Sequence, residues 1–171
     1  MNLGPLLVII GNSGSGKSTL ARLFARSLGG ECVDLDRIHW LDRVGAKRDE
    51  AEAKAMVAVL AEEPRWIIEG VFGWLAEAAF PRATSLIWLD MPWSVCREGL
   101  ALRGPWCGAT AEEHSAFLAW AEAYWLRRTS SSYQGHLGLF DGFSGEKVRL
   151  RDRAGVDALL DADTMMGSPP A

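Results

Sequence analysis

Cysteine is scarce in this chain of 171 residues, which has only three. Cys32, Cys96 and Cys107 show neither CxxC spacing nor a partnering histidine cluster. A disulfide-stapled scaffold and the usual zinc sites are therefore excluded, and reduced thiols in a cytoplasmic protein are expected. Long apolar runs are missing too. The longest near the start, residues 6–10, is far too short to cross a bilayer. No basic segment with an apolar stretch and a cleavage site precedes it, so the reading is a protein with no membrane span and no signal peptide. Positive charge is not in excess: 18 Lys and Arg against 22 Asp and Glu leave a net charge of −4. That balance argues against a protein whose main work is gripping nucleic acid, because such affinity is built from many cation–phosphate contacts. Repeats, low-complexity tracts and linkers are also lacking. With 49% hydrophobic residues the chain suits one domain over residues 1–164, followed by a frayed tail at 165–171.

What is present is an alternation of short apolar runs with longer helix-period stretches, the pattern of a parallel sheet covered by helices. Strands are expected at residues 6–10, 32–35, 66–69, 85–89 and 147–150. Helices are expected at about 17–28, 49–62, 92–103, 110–128 and 156–162. Gly29 and Gly30 stop the first helix, Pro64 stops the second, and Thr110 with Glu113 forms a capping box that opens the fourth. Residues 104–109, with two glycines and a proline, read as a loop, and 129–146 as a polar connection. The result is a three-layer α/β/α sandwich on five parallel strands. Ligands in such sheets sit at the carboxyl ends of the strands.

Those ends carry the residues with chemistry. Gly11, Asn12, Ser13, Gly14, Ser15, Gly16, Lys17 and Ser18 fit G-x-x-x-x-G-K-[ST] between a predicted strand and a predicted helix. Such a P-loop turns successive backbone N–H groups toward phosphates, and the helix that follows adds its positive end. The cofactors expected are ATP and Mg²⁺. Lys17 reaches the β- and γ-phosphates, Ser18 ligates the metal, and Thr19 completes the nucleotide-binding run. Asp34 and Asp36 follow the second strand, where alternation places both carboxylates on one side of an extended backbone. One can orient a phosphoryl acceptor and take its proton while the other holds the metal shell, or either can cap the next turn. Glu69 ends the third strand and Asp90 the fourth; both compete for the metal-side role, with Glu69 preferred. Arg103 and Arg127 or Arg128 flank a short lid at about 103–128 that can bring guanidinium groups onto the phosphates. His39 and His136 read as packing or surface histidines, and Trp40 can wall an acceptor pocket.

These residues resemble the P-loop nucleotide and small-molecule kinases, the group of adenylate, shikimate and gluconate kinases. Within that group the chain most resembles the bacterial FlaR-like "DNA topology modulation" proteins. The likeness rests on residues 10–19, 35–40, 66–70 and 87–92 and extends loosely to the lid and the last strand. It implies a sheet of order 2-3-1-4-5, ATP with Mg²⁺, and a mobile lid with arginines. It also implies metal binding by Asp34 and acceptor activation by Asp36, after the Asp-x-Asp of shikimate kinase. Catalytic roles are thereby expected for Lys17, Asp36, Arg103 and Arg128, and metal roles for Ser18, Asp34 and Glu69. The chain departs from adenylate kinase at residues 69–73, Glu-Gly-Val-Phe-Gly, which lack the arginine that grips AMP. It has neither a zinc-bearing lid insert nor the glycine cluster of shikimate kinase.

The resulting expectation is phosphoryl transfer to a small-molecule acceptor: a nucleoside, nucleotide or hydroxylated metabolite. The alternative is an NTP-binding regulator that hydrolyses slowly and acts through a partner. Neither the Asn-Lys-x-Asp loop of guanine-specific switches nor the Leu-Ser-Gly-Gly loop of transport ATPases occurs in the sequence.

Overall fold

Five runs rich in apolar and β-branched residues form the strands of a single sheet: β1 (Leu6–Gly11), β2 (Glu31–Asp34), β3 (Trp66–Gly70), β4 (Ser85–Leu89) and β5 (Glu146–Leu150). The computed structural model describes residues 3–41, 45–106 and 108–166. All neighbouring strands are parallel, in the order β2-β3-β1-β4-β5, as expected. β1 lies at the centre, with Ile9 opposite Glu69 on β3 and Gly11 opposite Leu89 on β4. A central parallel strand is covered on both faces, which is why its sequence runs apolar without alternation. Leu7 and Ile9 face one core, and Val8 and Ile10 the other.

Over Leu7 and Ile9 pack α1 (Lys17–Leu28), α5 (Trp93–Arg103) and α8 (Arg153–Met166), through Leu20, Phe24, Cys96 and Val156. The opposite face carries α2 (Leu35–His39), α3 (Glu50–Leu60), α4 (Gly73–Ala76) and α7 (Tyr133–Gly142). Between α5 and α7 runs α6 (Ala111–Glu122), opened by the expected capping box: Thr110 N–H donates to Glu113 at 2.8 Å and Glu113 N–H returns to Thr110 Oγ1 at 3.1 Å. The Cys96 thiol is buried and burial pushes its pKa up to about 11, so it is an inert packing group. Cys107 lies outside the described residues, as does the tail from residue 167; Met165 and Met166 close α8.

Several expectations need correction. The helix foreseen over 110–128 ends at Glu122 and tightens into a 3-10 turn at Ala123–Trp125, which turns Tyr124 inward to full burial. The chain is therefore out of helix before Arg127 and Arg128. The stretch 129–146 is not all loop: α7 forms there despite Gly135, Gly138 and Gly142. Ser132 caps it by accepting from Gly135 N–H, and Tyr133, His136 and Phe140 pack on Trp88, so tertiary burial overrides poor helix propensity. β2 stops at Asp34 and α2 begins at once, so Asp34 and Asp36 do not share one face of a strand.

α5 lies unusually close to the loop after β1. Gly14, at φ +78°, touches the Cys96 carbonyl, and Gly99 faces the Gly14 carbonyl; a Cβ at either position would collide with backbone. Gly99→Ala should therefore push α5 off the loop, destabilising the fold by about 1–3 kcal/mol and weakening nucleotide binding. Thermal denaturation and ATP-analogue titration check this; wild-type values for both would show that the loop tolerates the shift.

Candidate active site

The loop after β1 is shaped by its own hydrogen bonds. Ser13 N–H donates to Asn12 Oδ1 at 2.8 Å and Ser15 N–H to the Asn12 carbonyl at 3.2 Å. Lys17, 8% exposed as a residue, reaches back over the loop, and its ammonium donates to that carbonyl at 2.9 Å. Its positive charge is thus held against the loop backbone. Asn12 Nδ2 donates to the Ala121 carbonyl at 2.9 Å, which ties the loop to the end of α6. Arg153, from the first turn of α8, donates to the Ser15 carbonyl at 2.9 Å.

A cleft of about 420 Å³ opens on this loop. It is lined by Ser13, Gly14, Gly16, Lys17, Ser18 and Thr19, by Asp36, by Glu69, Gly70 and Val71, and by Gly99, Leu102 and Arg103, with Arg22 and Arg153. Lys17, Ser18, Asp36, Glu69 and Arg103, singled out in sequence, thus share one cavity. Gly11, Asn12 and Ser15 form the loop behind its wall; Asn12 and Ser15 are buried.

Two carboxylates face Lys17 from adjacent strand ends. Glu69 is 2% exposed and accepts a hydrogen bond from the Ser18 hydroxyl. Burial pushes its pKa up, Lys17 and Ser18 pull it back, and Asp34 and Asp36 add to the rise. Asp36 opens to solvent at the cleft. Its carboxyl is nonetheless raised, first by loss of water among the cleft walls and then by Asp34, against the pull of Lys17 and Arg103. Glu69 and Asp36 therefore hold their charge at a cost that a cation in the cleft would relieve.

Other expected residues lie elsewhere. Asp34 does not line the cleft; its Oδ1 accepts from Asp36 N–H at 2.9 Å and caps α2, the alternative the sequence left open. Asp90 neither caps a helix nor enters the cleft. Arg149 grips its Oδ2 through two nitrogens at 2.8 and 3.1 Å, and Arg151 lies 3.6 Å away. Arg128 and Arg127 line a separate recess with Thr129 and Gln134. The Arg127 guanidinium stacks 3.9 Å over Trp120, with Nε and Nη2 shut from solvent and without an acceptor among the described residues. His39 is buried and stacks on Phe72 at 3.9 Å, with Trp40 and Trp74 around it. Trp40 thus packs on an aromatic cluster and is not among the residues that line the cleft.

Sequence reasoning did not select Arg153, Arg22, Leu102 or Val71 as lining residues. Val71 was legible only as the residue after Glu69-Gly70, and Arg153 only as one of many arginines in the second half.

Comparison with known proteins agrees with this geometry. A family model described as ABC transporter matches residues 1–78, the part that contains the phosphate loop. A curated relative, the uncharacterized protein YqaC of Bacillus subtilis (strain 168), is 29% identical over 129 residues, spanning 68% of this chain and 70% of that protein. Among solved structures, a gluconokinase from Sinorhizobium meliloti 1021 superposes with a TM-score of 0.58 at 17% identity, covering 97% of this chain and 95% of that one. A shikimate kinase from Acinetobacter baumannii, in complex with shikimate, gives 0.54 at 15% identity over 95% and 92%. No helix among the described residues is long and apolar enough to cross a membrane. The sheet order, the loop after β1 and the superpositions together show the three-layer P-loop fold shared with these solved kinases.

Proposed function

We propose that the protein transfers the γ-phosphoryl group of ATP, with Mg²⁺, to a hydroxyl of a small acceptor. The observation that carries this reading is the meeting in one cleft of Lys17, the Ser18–Glu69 pair, Asp36 and Arg103. In this reading the loop N–H groups and Lys17 hold the phosphates, and Arg103 closes from the end of α5 to neutralise charge that spreads over the transferred group. Asp36 receives the acceptor hydroxyl and takes its proton.

The donors present suit magnesium, which favours oxygen ligands and keeps waters and phosphate oxygens around it. Ser18 and Glu69 would hold it, and the ion would supply charge to the transferring phosphoryl group. Among the described residues no cluster of three or more His, Cys, Asp or Glu side chains is arranged to hold a metal. Asp34 and Arg128, expected in the site from the sequence, are left out of this assignment because one caps α2 and the other lies in the second recess.

The test is ADP release with Mg²⁺ across nucleosides, nucleoside monophosphates, shikimate, gluconate and other small alcohols. One acceptor should raise the rate well above that with ATP alone; ATP binding with no acceptor effect would instead favour a partner-regulated NTPase. With the acceptor in hand, Glu69→Gln should raise the Mg²⁺ concentration for half-activity about tenfold or more. Asp90→Asn should leave it unchanged, since Asp90 serves Arg149. The reverse pattern would move the metal-side role to Asp90.

A further inference from the structure

His136 is wholly buried, and its hydrogen bonds go to Tyr124 and Val71 rather than to the phosphate loop. Its ring sits in a chain of hydrogen bonds whose direction is fixed by chemistry. The Val71 carbonyl, 3.0 Å from Nε2, can only accept, so Nε2 carries the proton. The ring is neutral: burial drives its pKa down to about 3, with the charges of Lys17 and Arg127 pushing the same way. Nδ1 must then accept, and the Tyr124 hydroxyl at 2.6 Å donates to it. The Tyr124 oxygen is left free to accept from the indole N–H of Trp88 on β4, 3.3 Å away. Every donor in the chain has one acceptor.

The two ends of this chain matter for the cleft. Val71 lines it, and its carbonyl lies beyond the last β1–β3 pair, Ile10 with Gly70, where the sheet has no partner to offer. Tyr124 sits in the turn that ends α6, three residues after Ala121, whose carbonyl receives Asn12 of the phosphate loop. The base of the lid therefore touches the phosphate loop through Asn12 and the opposite lip of the cleft through His136.

We infer that His136 is a positioning residue: as a neutral Nε2–H imidazole it holds the Val71 carbonyl, and so fixes the Gly70–Val71 lip against which the acceptor is placed. The placing of the acceptor rests on the kinase reading above; the holding of the lip does not.

Gln and Asn separate the two bonds, because a glutamine amide reaches about as far as Nε2 and an asparagine amide about as far as Nδ1. His136→Asn should speed amide exchange at Val71–Gly73 about tenfold or more, and His136→Gln should stay within about threefold of wild type. With the acceptor identified by the panel, His136→Asn should raise its KM about tenfold with kcat and the KM for ATP within about twofold, and Gln should restore it. In the wild-type protein at pH 7, the imidazole ¹⁵N shifts should report the Nε2–H tautomer. Should His136→Asn fail to fold, Tyr124→Phe carries the test: losing the donor to Nδ1 should let the other tautomer appear and the lip exchange faster. An Nδ1–H tautomer in the wild type, or equal lip exchange in the Asn and Gln variants, overturns the inference. If no acceptor is found, exchange and tautomer still decide it, so its failure and that of the kinase reading are told apart.

Discussion

Lys17→Ala should lower ATP-dependent transfer by roughly 10²–10³-fold or more while leaving the fold intact, the loss set by one preorganised charge on the transferring phosphate. Lys17 is almost buried, and its ammonium donates to the Asn12 carbonyl of the loop. The ammonium is therefore oriented before any nucleotide arrives, and no reorganisation is needed when phosphate oxygens take their place beside it. Removing it deletes a cation from a loop that keeps its other hydrogen bonds, those from Ser13 N–H and Ser15 N–H to Asn12. Lys17→Arg should fail almost as badly: the planar guanidinium is larger, and Glu69, Asp36 and the loop leave it no equivalent position. Single-turnover rates with the acceptor, together with circular dichroism melts, measure both effects. A Lys17→Ala protein that keeps more than a tenth of the wild-type rate would remove Lys17 from the mechanism.

The parts of this site that the sequence disclosed are those in which chain-local chemistry and fold coincide. A strand, a glycine-rich turn and a helix with Lys17 at its first position are contiguous, so the motif that forms the loop is written in one stretch of chain. Glu69 was legible because the end of a parallel strand is where such sheets present ligands-to-be. The lid was not. Whether Arg127 or Arg128 enters the cleft depends on where α6 stops, and that is decided by Tyr124 being drawn inward to Trp88 and His136, contacts 36 and 12 residues away in sequence. α7 was missed for a related reason: three glycines argue against a helix locally, and only the packing of Tyr133, His136 and Phe140 on Trp88 pays for it. Asp34 and Asp36 show how narrow the margin is. A strand two residues longer would have placed both side chains on one face, but the Asp34 carboxylate takes the Asp36 N–H and starts a helix instead.

That early helix start leads to the second large effect. Asp36→Asn should cut kcat by about 10²–10⁴-fold if Asp36 is the acceptor's base, and should at the same time make the folded protein more stable at neutral pH. Both follow from one feature. The Asp36 carboxyl is raised above its ordinary value because the cleft walls take away part of its water and Asp34 repels its charge, more than Lys17 and Arg103 relieve it. A raised carboxylate pKa means that the charged form costs the folded state free energy. That cost is absent below the unfolded-state value, where the group is protonated in both states; it grows as pH rises from there to the folded-state value and is complete above it. Asparagine carries no charge, so its stability advantage should be present at pH 7 and vanish as pH falls below the ordinary aspartate range. The activity profile should show the same group from the other side: the acidic limb of kcat/KM should lie above the range of an unperturbed aspartate, since only the ionised form takes a proton. Urea melts of the two proteins at pH 7 and at pH 3, beside a pH–rate profile of the wild type, separate the alternatives. Loss of activity without a gain in stability would place Asp36 in the reaction but not in a strained state, and a gain in stability without loss of activity would leave it a passenger of the cleft wall.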